Sequence, residues 1–396
     1  MKILHIFAPN YKVRFGGQVF LWKKIFPEWR ENDIQHYVYD YDNRDMVEAN
    51  RAFQFTYPKT QKKIGRIKSG IAFLWLFKYL LFNVDKFDIL HVHTLRWGGL
   101  FLGLWTKIIG LSSIYESVLF DSDNPSSIMK QRFGKLKVGM LKCYKSVLAI
   151  SQPLAHDYGI HGFTVFEIIN PVDSNIFHPL VDQKKKIILR FQLGVPETAF
   201  VWLNVGSVRY RKGTDILVEG FIDYSKKKNS NVYLVVIGPQ EKSENPSLDE
   251  EFVGKLKNLL LREGLFEKVK FVGLIEDPFL LAKYYQLSDV FVFPSRQEGL
   301  GNVVLESMAS ALPTVVSNLP VLENVIENDK SGMVAHLDTG FDVCNAVALI
   351  EDDKIKSQKL GKEARDTVIR NNDVGAWQKK LCDIYRMQNL SDRGVV

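Results

Sequence analysis

The chain has 396 residues, of which 46% are hydrophobic and 24% are charged, an ordinary composition for a soluble globular protein of two or three domains. Its three cysteines are far apart and lack metal-ligand spacing, which excludes a disulfide framework and indicates a reducing cytosol. The net charge of +7 arises in residues 1–180, which contain 23 Lys and Arg and 15 Asp and Glu. We therefore expect this half of the chain to contact an anionic surface or ligand. We expect no nucleic-acid partner.

The first half of the chain alternates short apolar runs with helix-like segments. The predicted strands are KILHIF (2–7), FDILHVH (87–93), SSIYES (112–117), SVLAIS (146–151) and VFEIIN (165–170). A loop with Gly16 and Gly17 follows the first strand, and helix-like stretches such as VFLWKKIF and GGLFLGLWTKIIG separate the strands. Strands spaced by helices predict a parallel sheet with crossover connections.

The second half repeats this pattern after HPLVDQKKK (178–186), a polar and basic stretch that we interpret as a linker. The predicted strands here are FVWLNVGS (200–207), NVYLVVIG (231–238), VKFVGL (269–274), DVFVFPS (289–295) and PTVVS (313–317). We therefore predict an α/β fold of two doubly wound, Rossmann-like domains, residues 1–178 and 190–370, facing across a cleft. A C-terminal helical segment, residues 371–396, is expected to pack back on the first domain.

Two apolar segments bear on membrane insertion and targeting. The start, MKILHIFAPNY, soon becomes polar and is too short for the core of a signal peptide. The most apolar segment, GIAFLWLFKYLLF (70–82), is interrupted by Lys78 and falls short of the roughly 20 residues that cross a bilayer. We therefore predict no transmembrane helix and a cytoplasmic protein.

The stretch EGLGNVVLESMASALPTVVS (298–317) follows a predicted strand and carries two carboxylates around a glycine turn. Glycine lets the backbone approach a ligand closely, and the N–H groups of Gly299, Leu300, Gly301 and Asn302 at a helix start form a phosphate site. Glu298 precedes this turn, and Glu306 lies about 6 Å further along the helix axis. One site could thus hold a sugar, a diphosphate and a ribose. The alternative is that Glu298 only caps the helix and Glu306 is solvated.

A second stretch, NVGSVRYRKGTDIL (204–217), has the same strand–loop–helix layout with a basic loop. The strand stops at Gly206, and the loop carries Arg209, Arg211 and Lys212. A cation beside a diphosphate neutralises the charge that builds on a leaving group. The alternative is a solvated basic loop.

Taken together, these motifs make the chain resemble glycosyltransferase family 4, a group 1 family with the two-domain GT-B architecture. The resemblance covers nearly the whole chain and rests on an ordered set of motifs: FGGQ, DILHVHT, AISQ, INPVDSNIF, VGSVRYRKGTDIL, FVGLIEDP, FVFPSRQEGLGNVVLESMASALPTVVS and ENVIENDKSGMV. It implies a nucleotide-sugar donor, expected to be UDP-linked, and a glycan or lipid-linked oligosaccharide acceptor in cell-surface polysaccharide biosynthesis. It implies no cofactor, because the nucleotide sugar is a co-substrate.

The resemblance also implies roles for individual residues. Glu298 would contact the donor sugar, Glu306 the ribose and Lys212 the diphosphate, and the backbone near Ile275 would bind the base. The remaining residues of the implied donor site are Gly16, Gly17, Gly206, Ser207, Arg211, Gly299, Leu300, Gly301 and Asn302. Transfer in this family retains the anomeric configuration, with attack on the face from which the phosphate departs, so no protein nucleophile is required.

Two positions depart from the family pattern. Many relatives carry an arginine where this chain has Ser207, so Arg209 or Arg211 would have to reach the phosphates instead. Many also carry a histidine at the end of the strand SSIYES, where this chain has Glu116. His93, Glu116 or Asp121 could replace that histidine, and we take His93 together with Glu298, Lys212 and Arg209 as the catalytic candidates.

We expect no metal ion to take part. Asp121 and Asp123 form a DxD pattern, but the two-domain layout favours a polar loop near the acceptor over metal binding. His91 and His93 share one face of a strand, and two histidines alone are a weak site because zinc usually takes three or four ligands.

Three further alternatives stay open or are excluded at this point. The basic cluster PKTQKKIGRIKSG (58–70) and the helix after it suit either a peripheral contact with anionic membrane on its cytoplasmic face or a core helix. A non-catalytic GT-B partner subunit is the alternative to an enzyme. A dinucleotide-dependent oxidoreductase is disfavoured because no GxGxxG follows the first strand.

Overall fold

The computed structural model describes residues 1–9, 22, 25–26, 29, 33–52, 66–95, 97–228, 231–245 and 248–392. The predicted loop at Gly16 and Gly17 and the basic residues 58–65 lie outside these ranges. The chain forms two units, the first from residues 1–170 and 375–396 and the second from residues 171–374. The sequence placed the corresponding boundaries at 178, 190 and 370.

The first unit is built on a seven-stranded sheet in the order β3-β2-β1-β4-β5-β6-β7. Its strands are β1 Lys2–Ile6, β2 Gln35–Asp40, β3 Asp45–Glu48, β4 Ile89–Val92, β5 Ser112–Ser117, β6 Ser146–Ala149 and β7 Val165–Glu167. Neighbouring strands are parallel, except that β2 and β3 pair antiparallel. The helices are α1 Ala49–Ala52, α2 Arg66–Asn83, α3 Trp97–Ile109, α4 Pro125–Met129, α5 Gly134–Leu141 and α6 Gln152–Ile160.

The second unit contains a six-stranded sheet in the order β10-β9-β8-β11-β12-β13, and all its neighbouring strands are parallel. The strands are β8 Phe200–Val205, β9 Val232–Ile237, β10 Val269–Gly273, β11 Val290–Phe293, β12 Thr314–Ser317 and β13 Met333–Ala335. The helices are α7 Gln183–Gln192, α8 Thr214–Lys228, α9 Glu250–Arg262, α10 Pro278–Leu287, α11 Asn302–Ala309, α12 Pro320–Glu323, α13 Gly340–Asp352 and α14 Lys354–Asn372.

These two sheets confirm the prediction of two doubly wound α/β domains. The interpretation of residues 178–186 as a linker is wrong in part, because α7 begins inside this stretch. Asp182 caps the helix, since its carboxylate accepts hydrogen bonds from the backbone N–H groups of Lys184 and Lys185. The polar residues that suggested a linker therefore include the cap and the first turn of a helix.

The core of the first unit lies on both faces of its sheet, as the period of two along a strand requires. On β1, Leu4 and Ile6 point into one hydrophobic cluster and Ile3 into the other. His5 alternates with these residues and therefore lies on the same face as Ile3.

The last helix, α15 Val374–Asp392, covers that second face. Trp377, Leu381 and Tyr385 are buried in the same hydrophobic cluster as Ile3. This burial explains why the amphipathic stretch GAWQKKLCDIYRMQ is helical. In the part of the chain that the structure describes, none of the helices combines the length and the apolar character that a membrane crossing requires.

Candidate active site

Two loops meet at the carboxyl ends of β8 and β11. We call residues 206–213 the basic loop and residues 294–301 the glutamate loop. They pack closely at Gly213, whose φ is +68° and where an added Cβ would lie 1.8 Å from the carbonyl oxygen of Pro294. Only glycine fits this position. The close contact of the two loops therefore depends on the absence of a side chain at Gly213.

The glutamate loop brings Glu298 to Lys212. Lys212 Nζ lies 2.6 Å from Glu298 Oε1, and Ser295 Oγ donates a hydrogen bond of 2.7 Å to the same oxygen. The two side chains are only 17% and 6% exposed, so the ion pair is largely shielded from water. The structure thus brings together two predicted site residues that lie 86 positions apart in sequence.

The electrostatics around Lys212 favour an additional negative charge. Burial lowers the pKa of Lys212, and Arg211 and Arg209 add to this lowering, whereas Glu298 opposes it. The ammonium group therefore lies in a region where positive charge is dense and Glu298 supplies the opposing charge. A bound anion would favour the charged form of Lys212 by the same Coulomb attraction.

Arg296 holds the two loops together. Its guanidinium makes two hydrogen bonds to Asp215, of 2.7 and 2.8 Å, and lies 3.8 Å from the centroid of the Tyr210 ring. Arg211 joins the loops a second time by donating from Nη1 to the carbonyl oxygen of Gln297 at 2.5 Å. A bidentate arginine–carboxylate contact fixes orientation as well as position. The basic loop is therefore held firmly beside the glutamate loop.

Arg209 is the cation of the basic loop that lacks such an engagement. Its Nε is buried and has no hydrogen-bond partner among the described residues. Burial lowers the pKa of Arg209, and the charge of Arg211 adds to this effect. Ser207, where the family pattern has an arginine, lies two positions earlier on the same loop and is partly buried.

Helix α11 begins at Asn302, directly after the turn formed by Gly299, Leu300 and Gly301. Gly301 has a φ of +81°, in the left-handed region that favours glycine, and Leu300 is buried and anchors the turn. The first N–H groups of a helix have no partner within the helix, and its dipole is positive at this end. Phosphate binding at this turn stays a prediction.

Glu306 is held by Tyr285 of α10. The Tyr285 Oη lies 3.1 Å from Glu306 Oε2 and 3.1 Å from the carbonyl oxygen of Val303, so its single proton is shared between two acceptors. Burial raises the pKa of Tyr285, and the charge of Glu306 adds to it, which keeps the phenol protonated. Glu306 itself is 8% exposed, so the alternative of a solvated helix residue is wrong.

Ile275 follows the end of β10 by two positions, in a loop that Glu244 fixes. One carboxylate oxygen of Glu244 accepts the N–H of Leu274 at 2.9 Å, and the other accepts the N–H of Gln240 at 2.8 Å. Since both acceptors belong to one side chain, Glu244 ties the loop after β9 to the loop after β10. The backbone that leads to Ile275 therefore follows a defined path.

His93, the candidate from the first unit, follows β4 and contacts the Glu116 carboxylate through Nδ1. Its Nε2 lies 2.9 Å from Nδ1 of His5. The side chains of His93 and Glu116 are 0% and 1% exposed. Burial lowers the pKa of His93, so the ring is neutral. Both ring nitrogens are thus already engaged by protein groups, and a catalytic role for His93 stays a prediction.

The two aspartates of the DxD pattern have different surroundings. Asp121 is exposed and has a φ of +61°. Asp123 is mostly buried, and burial raises the pKa of its carboxyl group to about 6. The backbone carbonyl of Asp123 accepts a hydrogen bond of 2.6 Å from the hydroxyl of Tyr158. This contact ties the DxD loop to α6.

A possible metal-binding group exists elsewhere in the first unit. Across the described ranges, the one group of three or more side chains close enough to share a metal ion is His5, His91 and His93. One nitrogen of each lies within 4.8 Å of the others. Neither aspartate of the DxD pattern belongs to this group.

Sequence reasoning missed three residues that the structure brings into these sites: His5, Glu244 and Tyr285. His5 had a usable signal, because it alternates with aliphatic residues on a buried strand. Glu244 and Tyr285 had none, because each acts on a residue at least 21 positions away through a contact that only the folded chain creates.

Comparison with known proteins adds to this geometry. Residues 185–367 match the family model described as "Glycosyl transferases group 1". The matched segment lies within the second unit and contains the basic loop, the glutamate loop and α11.

Two curated relatives are similar over most of the chain. One is the Escherichia coli UDP-Gal:alpha-D-GlcNAc-diphosphoundecaprenol alpha-1,3-galactosyltransferase, 24% identical over 84% of this chain and 83% of the relative. The other is the Escherichia coli O-antigen biosynthesis glycosyltransferase WclY, 24% identical over 68% of this chain and 69% of the relative.

Among solved structures, Anabaena Alr3699/HepE in complex with UDP-glucose matches 98% of this chain and 100% of that chain, with a TM-score of 0.75 and 16% identity. A likeness at this identity establishes the fold, which is that of the GT-B glycosyltransferases. The family match and the curated relatives support placing the chain among the group 1 glycosyltransferases.

Proposed function

We propose that the protein is a retaining, metal-independent glycosyltransferase of family 4. It transfers a sugar from a UDP-linked donor to a glycan or lipid-linked acceptor in cell-surface polysaccharide biosynthesis. The observation that carries this proposal is the shielded contact between Lys212 and Glu298 at the ends of two parallel strands, beside the start of α11. Ligands of open α/β sheets bind at such strand ends.

The diphosphate of the donor lies against the basic loop. Lys212 and Arg209 contribute the positive charge, and the N–H groups that open α11 contribute hydrogen-bond donors. Arg209 is the better candidate for the second cation, because its Nε has no partner within the described residues, whereas Arg211 is bonded to Gln297. In this chain Arg209 therefore takes over the role that the arginine at the position of Ser207 has in relatives.

The two glutamates contact the sugars at either end of the diphosphate. Glu298 accepts hydrogen bonds from hydroxyl groups of the transferred sugar, and Glu306 accepts those of the ribose. Tyr285 keeps the Glu306 carboxylate oriented for this contact. The backbone near Ile275 binds the base, and the printed name of the galactosyltransferase relative supports uracil as that base.

Catalysis then consists of positioning and of stabilising the leaving group. The bond between the anomeric carbon and the diphosphate oxygen breaks, and the acceptor oxygen bonds to the same face of that carbon. The proton of the acceptor hydroxyl passes to the departing phosphate oxygen. Lys212 and Arg209 neutralise the charge that develops on the diphosphate, which is the task a metal ion has in other transferases.

We further propose that the first unit contacts anionic membrane on its cytoplasmic face. Helix α2 exposes Leu74 and Phe82, which are 65% and 73% accessible, beside the exposed Lys68 and Lys78. Apolar side chains next to lysines suit the interface of an anionic bilayer. The lipid-linked acceptor in the name of the galactosyltransferase relative supports the same location.

The membrane proposal is tested by sedimentation with anionic and neutral vesicles at low and high salt. We expect binding to anionic vesicles that weakens as salt screens the lysines. Replacing Lys68 and Lys78 by glutamate should abolish it, whereas replacing the exposed Lys359 and Lys362 of α14 should not. Binding that ignores lipid charge and salt would contradict the proposal.

The alternative function is that of a non-catalytic partner subunit, motivated by Ser207 and by the absence of the strand-end histidine. The joint presence of Lys212, Glu298 and Glu306 in one shielded site favours the enzyme. A thermal-stability screen with UDP-, GDP- and ADP-sugars tests donor binding, because a ligand at 100 times its Kd adds about 2.7 kcal/mol. The wild type and Glu298→Ala are then compared in transfer and donor-hydrolysis assays, with the exposed Glu323→Ala as control. Equal, negligible turnover in all three variants would favour the partner role.

A further inference from the structure

Four neighbouring strands of the first unit place polar side chains on one face of the sheet, the face covered by α15. These buried side chains are His5 of β1, His36 of β2, His91 and His93 at the end of β4, and Glu116 of β5. Hydrophobic residues occupy the rest of this face. Burying so many polar groups is costly unless they bond to each other.

Four of these groups are linked in one line, which we call the histidine chain: Glu116, His93, His5 and His36. The Glu116 carboxylate contacts Nδ1 of His93. Nε2 of His93 lies 2.9 Å from Nδ1 of His5, and Nε2 of His5 lies 2.8 Å from Nδ1 of His36. The line ends at Nε2 of His36, a buried atom without a hydrogen-bond partner in the described part of the chain.

Two observations favour hydrogen bonding over a shared metal ion. The facing nitrogens of His5 and His93 are 2.9 Å apart, a hydrogen-bond distance, and the planes of the two rings are nearly parallel, at 9°. The rings of His91 and His93 lie one against the other, with centroids 4.2 Å apart and an interplanar angle of 34°. Both nitrogens of His93 are already engaged, by Glu116 and by His5, which leaves neither of them for a metal ion.

The direction of the histidine chain follows from its first member. When the Glu116 carboxylate is ionised it only accepts hydrogen bonds, and in that state Nδ1 of His93 must carry a proton. A neutral imidazole has one donor and one acceptor, so Nε2 of His93 accepts from Nδ1–H of His5, which in turn accepts from Nδ1–H of His36. Burial lowers the pKa of His5 and His93, and that of His36 to about 3, so the rings are neutral.

The same heavy atoms fit a second state that holds one more proton. A proton from solvent added to Nε2 of His36 allows each ring to pass its Nδ1 proton to the next, and the last proton reaches Glu116. The histidines then all carry Nε2–H, and the carboxyl group donates to His93. The net change is one proton taken up and one buried negative charge neutralised, with no imidazolium left in the core.

We propose that the histidine chain is a two-state proton switch of the first unit: one proton changes the direction of all its hydrogen bonds, and a second proton opens the packing of this face. The second proton has no carboxylate left to neutralise and creates a buried cation. The contacts at risk are those of Trp22, whose Nε1 lies 3.3 Å from Glu116 Oε2, and of Tyr385 on α15, whose hydroxyl lies 2.7 Å from Nδ1 of His91.

Among the described residues, the ionisable groups that face the chain from the packed elements are His91 of β4 and Tyr385 and Cys382 of α15. From β4, Nε2 of His91 lies 3.6 Å from Glu116 Oε2. From α15, Tyr385 and Cys382 interact electrostatically with this region, and burial raises the pKa of Tyr385 well above its ordinary value. The raised pKa of Tyr385 keeps its phenol protonated over this pH range, so we assign the response to acid to the histidines and Glu116.

The experiment follows the tautomers of ¹⁵N-labelled histidines by long-range ¹H–¹⁵N NMR between pH 7.5 and 5. We expect His93, His5 and His36 to change together from Nδ1–H to Nε2–H before near-ultraviolet circular dichroism is lost. Single histidine substitutions assign the signals. Imidazolium spectra appearing residue by residue, mixed tautomers at pH 7.5, or a stoichiometric metal ion in the purified protein would each overturn the proposal.

Two variants separate the proposal from a purely structural role. Glu116→Gln keeps an acceptor oxygen for His93 but cannot take up the proton, so the Nδ1–H tautomers should persist and the joint change should disappear. His36→Leu removes the end of the histidine chain that lies furthest from Glu116. His5 and His93 should keep Nδ1–H, because Glu116 sets the direction of the hydrogen bonds. A switch of His5 to Nε2–H in His36→Leu would refute that direction. Asp157→Asn, which alters a buried carboxylate of the same unit bonded to Asn124 and Ser126, is the matched control and should leave the joint change intact.

Discussion

The two units use the polar groups of their sheets in opposite ways. In the second unit, opposite charges meet at the strand ends, in the loops or in the helix turn that follows, as Lys212 does with Glu298 and Arg296 with Asp215. In the first unit, neutral histidines and one carboxylate bond to each other beneath α15. The same architecture can therefore present charge to an anion or enclose it in the core, depending on whether the polar residue falls in a loop or within a strand.

This contrast predicts that acid destabilises the first unit far more than the second. The first unit holds six of the eight histidines, and burial lowers the pKa of His5, His36, His91 and His93. Unfolded histidine binds a proton below about pH 6.5, whereas these folded rings do not, so the free energy of unfolding falls as the pH drops below 6.5 toward the folded value of about 3 for His36.

Between pH 7 and pH 5 each such histidine costs about 2 kcal/mol. Four would cost about 8 kcal/mol, and about 2 kcal/mol less if the folded histidine chain takes up one proton. Hydrogen exchange measured by mass spectrometry at the two pH values assigns the loss to a unit. The second unit, whose histidines are His178 and His336, is the internal control. Equal loss of protection in both units would break the comparison.

The next largest effect is expected at the charge contact of the second unit. Replacing Lys212 by alanine removes the ammonium that would stabilise the departing diphosphate, so we expect kcat/KM to fall by about 10² to 10³, or roughly 3–4 kcal/mol. Initial rates with a UDP-sugar measure this change. Lys359→Ala, an exposed lysine of α14, should leave the rate unchanged. A fall of less than fivefold would show that Lys212 serves the fold alone.

Variants of Arg209 and Arg211 test whether two cations of the basic loop differ in role. Arg211 is hydrogen-bonded to Gln297, whereas Arg209 Nε has no partner among the described residues. Arg209→Ala should weaken binding of a UDP-sugar by about 10- to 100-fold, or roughly 1.5–3 kcal/mol for hydrogen bonds to a charged group, and change stability by less than about 0.5 kcal/mol. Arg211→Ala should instead lower the melting temperature, because it removes the hydrogen bond of 2.5 Å that Arg211 donates to the Gln297 carbonyl. Calorimetric titration measures the UDP-sugar affinity of both variants, and thermal melts measure their stability. Weaker binding in Arg211→Ala together with lower stability in Arg209→Ala would contradict the roles assigned to the two arginines.

The smallest effect is expected from a residue that acts through another. Tyr285→Phe removes a hydroxyl that lies 3.1 Å from Glu306 and leaves the ring packing unchanged. Loss of one hydrogen bond costs about 1 kcal/mol, so we expect UDP to bind about fivefold more weakly. Replacing Glu306 itself should cost more, and adding Tyr285→Phe to that variant should cost little. Additive losses in the double variant would mean that the two residues act independently.

The fold could be predicted from the sequence because strand and helix periods are local signals. The run SSIYES, for example, matches β5 residue for residue. The meeting of the basic loop and the glutamate loop could be predicted because their glycines, cations and carboxylates stand in short motifs next to strand ends. The start of α7 was misjudged because capping by Asp182 makes a polar stretch helical, and polarity alone does not reveal a cap.

The histidine chain could not be predicted for a different reason. Its members lie on β1, β2 and β5 and directly after β4, and their contacts depend on strand order and register, which place the end of β4 beside His5. A sequence states that each strand is buried, but not which strands are neighbours. Contacts such as that between Glu244 and Leu274 have the same origin, since they join two loops that only the sheet brings together.

The return of the chain to the first unit has a consequence for biosynthesis. Residues 1–170 leave the ribosome first, yet their sheet lacks the cover that Trp377, Leu381 and Tyr385 supply. At about 5–20 residues per second, the roughly 200 intervening residues take about 10–40 s to translate. During this delay the second unit can finish folding, whereas residues 1–170 still expose the apolar sheet face that α15 later covers. Nascent chains arrested before residue 375 should therefore bind chaperones through their first 170 residues.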